Sequence, residues 1–390
     1  MTLTAKYGSI HTDFKVGSKK YKVPNGLAHF LEHIKFNESE DVTSHDFFYK
    51  SGGDVNAFTT FNYTTYLVFT TVNFKENLNH LIDFVYNPFF SKKLIQKEKG
   101  IIVEESNMGS DDPYALSYYK HLKNIFHEYN YKEFITGAPE EIKSITLEHV
   151  VSVYNHFYHP ENMFLCITGN FNPYEMAKII DENMDQKEFP KYIKPTIMTK
   201  KEPKEVVKAY EEIEMNVISP KVKYGVKIPR NKFKDIDDLT LRIVLSLILN
   251  VNFGSTSDLK DELTNLGLVT SLGYNVEIYG DYVLLTLAAD TDYTDEVIKR
   301  IDDKLNHLDL TESVIQRKIK ANIATLILDF DDIETVNNRI GDNLVFYDEI
   351  ITDVMAKYKS LSQELFENIA EKIETQNKSI LVIKPQQKEK

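Results

Sequence analysis

The stretch Ser144-Ile145-Thr146-Leu147-Glu148 is matched in type by Ser360-Leu361-Ser362-Gln363-Glu364. In each, Thr146 or Ser362 reads as an N-cap, a side-chain oxygen taking up a free backbone N–H ahead of apolar residues at helical spacing. Each predicted helix leads through a polar turn into an apolar strand, at 163–168 in the first case and 379–384 in the second. The offset is constant and free of gaps: 362 − 146 and 381 − 165 both equal 216. The same offset carries Tyr66-Leu67-Val68-Phe69-Thr70 onto Tyr282-Val283-Leu284-Leu285-Thr286, two β-rich runs, and residues 26–36 onto 242–252, two helical runs. The expected fold is therefore α+β, with two homologous units, each an antiparallel sheet packed against helices.

Residues 186–205 contain Pro190, Pro195 and Pro203 among charged residues and show neither helical nor strand period. They read as a linker, which sets the expected units at 1–185 and 206–390.

The composition narrows the function. Of 390 residues, 42% are hydrophobic and 27% charged, which specifies a globular chain. The net charge of −13 argues against a nucleic-acid binder, which needs a basic footprint. The first arginine is Arg230, so an arginine clamp on a substrate cannot come from the first half. The single cysteine, Cys166, lies in an apolar run and reads as a core residue, and cysteine-rich zinc sites are excluded. No window of 18 uncharged apolar residues exists, and residues 1–6 lack an apolar signal core, so a soluble cytoplasmic protein without a membrane span is expected.

The chemistry concentrates at His29-Phe30-Leu31-Glu32-His33. Leu27, Phe30, Leu31 and Ile34 predict a helix beginning after Pro24-Asn25-Gly26. On it His29 and His33 stand one turn apart, about 40° around the axis, so both imidazoles can converge on one ion. Glu32 lies on the adjoining face, placed to take a proton rather than to ligate. That division of labour suits metal-assisted hydrolysis.

A catalytic zinc needs a third protein ligand. The candidates lie in Glu98-Lys99-Gly100-Ile101-Ile102-Val103-Glu104-Glu105-Ser106. Glu98 and Glu105 are two helical turns apart and share a face, while Glu104 is turned about 100° from Glu105. Spacing alone leaves the three glutamates open.

The motif together with the paired Glu98 and Glu105 resembles the pitrilysin and insulinase family of zinc metallopeptidases, which includes the mitochondrial processing peptidases. Pro24-Asn25-Gly26-Leu27-Ala28 resembles the family's lead-in, and Asn56-Ala57-Phe58-Thr59 followed by Thr65-Tyr66 its substrate-side strand. Asp111-Asp112-Pro113, Gly137-Ala138-Pro139-Glu140-Glu141-Ile142 and Phe157-Tyr158-His159-Pro160-Glu161-Asn162-Met163 are similar to the half-size bacterial members. The resemblance covers most of residues 7–170 and continues more weakly through Glu202-Pro203 and Phe253-Gly254-Ser255. It implies that His29, His33 and Glu105 hold one Zn2+ per chain, that Glu32 is the general base, and that Glu98 orients a ligand. It also implies that Asn56 and Ala57 lie on an edge strand that pairs with a peptide substrate. The offset of 216 supports one zinc per chain independently, because His29, Glu32 and His33 fall on Leu245, Ile248 and Leu249, and Glu98 and Glu105 on Val314 and Ala321.

Two departures from the family pattern shape the remaining expectations. A stretch that usually precedes the equivalent of Tyr7-Gly8-Ser9-Ile10 is missing, which leaves the first sheet short of an edge strand. An arginine and a tyrosine seven apart, anchors for the substrate in many relatives, are replaced at their best-matching positions by Thr264 and Ser271. The expected function is that of a bacterial zinc metalloendopeptidase cutting short or unfolded peptides held as an added strand in a cleft. Its expected substrate is either general peptide debris or one dedicated precursor whose leader is removed. The two departures point to a specialised subunit working with a homologous partner, one lacking HxxEH and supplying the Arg/Tyr pair. The alternatives are a non-catalytic structural or recognition subunit, against which the intact motif counts, and an HxxEH enzyme of the ribosylhomocysteine lyase type, against which the placement of Cys166 counts.

Overall fold

In the computed structural model, residues 1–386 are described. The chain forms two compact units, neither contiguous in sequence. Unit 1 is made of Met1–Asp111, Glu133–Lys200 and Asp332–Ile350; unit 2 is made of Asp112–Lys132, Lys201–Asp331 and Ile351–Lys390. The boundaries drawn on the sequence differ from this division at two segments, because the helix Pro113–Ile125 buries its inner face in unit 2 and the helix Ile333–Phe346 is held in unit 1 by hydrogen bonds through Asn337.

Asp112 caps the helix Pro113–Ile125, which buries His121, Leu122 and Ile125 in unit 2 and sets His121 Nε2 3.1 Å from the Ser379 carbonyl. Asp332 caps the helix Ile333–Phe346 in unit 1, where Thr2 donates to Asn337 Oδ1 at 2.6 Å and Asn337 Nδ2 donates to the Cys166 carbonyl at 3.2 Å. The offset of 216 carries residues 112–132 onto 328–348, so the exchange obeys the same internal repeat. The expected linker is also partly ordered: Thr196–Ile197 pairs with a strand of unit 1, where Ile197 packs on the core, and Glu202 is buried in unit 2.

Unit 1 contains β1 (Thr2–Ala5), β2 (Asp13–Val16), β3 (Lys19–Lys22), β4 (Gly53–Thr59), β5 (Thr64–Thr70), β6 (Met163–Cys166) and β7 (Thr196–Ile197). Its main sheet is antiparallel in the order β4-β5-β1-β6, so β4 and β6 are the edges, and β3-β2-β7 form a small second sheet. Thr146, the expected cap, accepts the His149 backbone N–H at the start of Leu147–Phe157, whose Val150, Val153 and Phe157 enter the core.

Unit 2 contains β8 (Tyr210–Met215), β9 (Lys221–Pro229), β10 (Ser271–Tyr279), β11 (Tyr282–Asp290) and β12 (Lys378–Pro385) in the order β10-β11-β9-β12-β8. All pairs are antiparallel except β8 with β12. Ser362 caps Gln363–Ala370, as its N-cap reading predicts. One helical run, Asp238–Asn265, is long and apolar enough to cross a membrane, with a mean hydropathy of 1.4. Its Leu241, Val244, Leu245, Ile248 and Leu249 are wholly buried in the unit 2 core, the place of a core helix.

Candidate metal centre

Two helices of unit 1 build the site. The first, Leu27–Lys35, follows Gly26, whose φ of 85° is left-handed. Leu27, Phe30, Leu31 and Ile34 recur at helical spacing and are buried at 1% exposure or less, which fixes the helix's rotation about its axis. His29 and His33 then stand together, their ring centroids 4.5 Å apart. The second helix, Lys92–Asp111, carries Glu98, Ile102 and Glu105 along one stripe, and buried Ile102 turns that stripe inward.

Glu105 Oε1 lies 3.5 Å from His29 Nε2, and Glu105 Oε2 lies 3.5 Å from His33 Nε2. One potential ligand atom from each of His29, His33 and Glu105 falls within 4.8 Å of the others, the one such group among the described residues. His33 Nδ1 sits 3.1 Å from Glu98 Oε1. A neutral His33 donates there, which leaves the Nε2 lone pair facing the Glu105 carboxylate. In that neutral form two acceptors face each other and a cation can sit between them, whereas in the protonated form the Nε2–H faces the carboxylate instead. Two imidazoles and one carboxylate form a donor set that zinc takes, so the residues fit that ion. Exposure rises across the group, from 11% for the His29 side chain to 43% for Glu105, so the cluster is open on the Glu105 side.

Burial, and then the neighbouring His33, pushes the His29 imidazole down to about 3, which favours its neutral form, the form a metal can take as a ligand. Burial also works against a charged His33, but the hydrogen bond to Glu98 and the carboxylates of Glu105 and Glu32 outweigh it and hold its pKa up. Glu32 is 7% exposed; burial raises its pKa, against the opposing hydrogen bond from Thr59 and the charge of His33.

Thr59, at the end of β4, donates its hydroxyl to Glu32 Oε2 at 2.5 Å. Spacing along the sequence gave no sign of that contact, although Thr59 shares a strand face with Ala57. Ser106 is the second missed residue. Its buried hydroxyl donates to the Gly137 carbonyl at 2.8 Å, next in sequence to Glu105. Gly137 in turn abuts Gly26 so closely that a Cβ on Gly26 would stand 2.4 Å from the Thr136 carbonyl oxygen. Asn25 Nδ2 donates to Glu141 Oε1 at 2.6 Å beside that contact. Residues 136–141 thereby tie the start of the histidine helix to the glutamate helix.

The remaining candidates fall as follows. Glu98 is buried and Glu104 exposed. Asn56 and Ala57 lie on edge strand β4, where Asn56 Oδ1 accepts the Ala57 backbone N–H at 2.8 Å. Thr264 and Ser271 are exposed in unit 2.

A sequence model described as insulinase, peptidase family M16, matches residues 4–137, and one described as the M16 inactive domain matches residues 144–321. A Bacillus subtilis (strain 168) protein named uncharacterized zinc protease YmfH is 33% identical over 376 residues, 94% of this chain and 86% of that one. Among solved structures, an M16-like peptidase from Alicyclobacillus acidocaldarius superposes with a TM-score of 0.92 at 24% identity, covering 99% of this chain and 92% of the other. A Helicobacter pylori protease superposes with a TM-score of 0.83 at 18% identity, covering 98% and 93%. The chain belongs to the insulinase, or M16, peptidase family. It has the family's α+β fold, and it carries the HxxEH motif in unit 1 alone.

Proposed function

We propose that the chain is a zinc metalloendopeptidase in which His29, His33 and Glu105 hold the ion and Glu32 is the general base. The observation that carries this reading is the convergence of those three side chains beside a buried carboxylate anchored at one oxygen. Zinc at such a centre supplies Lewis-acid polarisation of a peptide carbonyl and acidifies water. With Glu32 Oε2 engaged by Thr59, Oε1 is the oxygen that accepts a proton from the attacking water and passes it to the leaving amine. Glu98 fixes the His33 tautomer through Nδ1 and keeps Nε2 available.

The substrate is an extended peptide that adds to edge strand β4. The Asn56 side chain must leave the Ala57 N–H before a peptide carbonyl takes its place. Thr264 and Ser271 offer no cation, so the Arg/Tyr anchors come from a homologous subunit lacking HxxEH, and the substrate is a precursor or leader peptide. The test is metal content and quenched-peptide cleavage by the purified chain, before and after chelation, alone and mixed with such a subunit. Cleavage that survives complete removal of zinc would overturn the zinc-dependent reading, and no cleavage with zinc bound, alone or with the subunit, would overturn the peptidase reading. Equal rates with and without the subunit would overturn the partner.

A further inference from the structure

The small sheet of unit 1, β3-β2-β7, has a basic outer face that the peptidase chemistry leaves unused. Phe14 is wholly buried, and Val16, Tyr21 and Ile197 pack on the same core, so alternation turns their neighbours outward. Strand register sets that outer face in two rows. Lys15, on the central strand, stands between Lys20 and Thr196. Asp13 stands between Lys22 and Met198, whose backbone N–H donates to the Asp13 carbonyl at 2.8 Å.

Lys15, Lys20, Lys22, Thr196 and Met198 are all exposed. The ammonium groups of the three lysines make no hydrogen bond and no ion pair among the described residues. Like charges directly opposite on neighbouring strands repel, and Lys15 faces Lys20 in that way. Lysines on an edge strand guard against unwanted strand pairing, which accounts for Lys20 and Lys22 on β3 but not for Lys15 on the central strand. The hairpin Asp13–Lys22 carries four lysines and one aspartate, against the prevailing charge of a chain at −13. Such a concentration of unpaired cations is matched by an anionic surface from outside.

We propose that this face docks on an anionic lipid surface, with Lys15, Lys20 and Lys22 as the cations and Met198 as the apolar contact. A lysine supplies a hydrated point charge without the planar fork that grips a phosphate or stacks on a base. None of the six residues of the face is aromatic, so bases find no stacking platform, whereas a plane of charged headgroups needs none. At an ionic strength of about 0.1 M charges act over about 10 Å, so acidic groups farther than that from the membrane are screened from it. The proposal does not rest on the peptidase reading, because none of these residues belongs to the metal centre.

The test is sedimentation of the full chain with vesicles of phosphatidylcholine, alone or mixed in equal parts with phosphatidylglycerol, in about 0.1 M salt. Binding is expected to the mixed vesicles only, and it should be lost in about 1 M salt, where charges act over about 3 Å. Lys15→Gln, Lys20→Gln and Lys22→Gln should each lower the partition coefficient about fivefold, and Lys15→Arg should preserve it. No binding to the mixed vesicles overturns the proposal, as does equal binding to both kinds, and these two outcomes stand whether or not a variant folds. Tighter binding of short single-stranded DNA than of the mixed vesicles, at equal concentration of negative charge, overturns it in favour of a nucleic acid. Undiminished vesicle binding by a folded triple glutamine variant overturns it as well.

Discussion

Glu98 Oε1 stands 3.1 Å from His33 Nδ1, on the side of the ring opposite the atom that faces Glu105. One carboxylate thereby sets the tautomer while another meets the freed nitrogen. On the proposed reading His33 is a zinc ligand, and replacing a carboxylate that holds a ligating histidine commonly changes metal affinity by about 10- to 100-fold. Glu98→Gln should therefore weaken zinc binding by that order without removing a ligand. Competition with a chromophoric chelator measures it, and unchanged affinity would count against the assignment.

Glu32→Gln should retain zinc and lose roughly 10²–10⁴-fold in turnover, because only proton transfer is removed. Thr59→Val should lower turnover with zinc content unchanged, and Thr59→Ser should restore it through the same hydroxyl. Metal analysis run beside the peptide assay separates the two effects. Full activity in Glu32→Gln would refute the general-base role.

Gly26→Ala places a side chain on a left-handed backbone at 2.4 Å from a carbonyl oxygen, so the histidine helix must shift against residues 136–138. Ser106→Ala leaves the buried Gly137 carbonyl without its donor, at a cost of about 1–3 kcal/mol. Both variants should bind zinc more weakly, and Gly26→Ala should also melt earlier. Scanning calorimetry with and without chelator distinguishes lost stability from lost metal.

Glu202 should govern acid stability in unit 2. It accepts the backbone N–H groups of His127, Glu128 and Tyr129 at 2.7–3.0 Å, and Lys227 Nζ at 2.7 Å. Burial alone would raise its pKa, but Lys227 and those backbone donors together hold it below the ordinary glutamate value. A folded pKa below the unfolded one means the contribution is complete above about pH 4.3, the ordinary glutamate value, and fades as the pH falls through the folded value. Glu202→Gln leaves Lys227 buried without its counter-charge and should cost about 3–5 kcal/mol near neutral pH. Its loss of stability relative to the unaltered chain should shrink in acid. A pH-independent difference in urea denaturation would show that the charge is not the cause.

Local periodicity made part of this protein legible from its residues alone. His29 and His33 are four apart on a helix whose buried face is spelled by Leu27, Phe30, Leu31 and Ile34, so their convergence needs nothing beyond helical geometry. The caps at Thr146 and Ser362, and the repeat at 216, are equally local signals. Tertiary structure decided the rest. Glu98, Glu104 and Glu105 are equivalent candidates until the two helices dock, and the contact of Glu98 with His33 spans 65 residues. Thr59 reaches Glu32 across 27 residues and Ser106 reaches Gly137 across 31, separations over which no periodicity carries information. The exchanged helices Pro113–Ile125 and Ile333–Phe346 show the same limit. The inward face of Pro113–Ile125 holds Leu122 and Ile125 and that of Ile333–Phe346 holds Asn337 and Asn343; which unit takes up either face depends on the complementary surface, and that surface exists only in the folded chain.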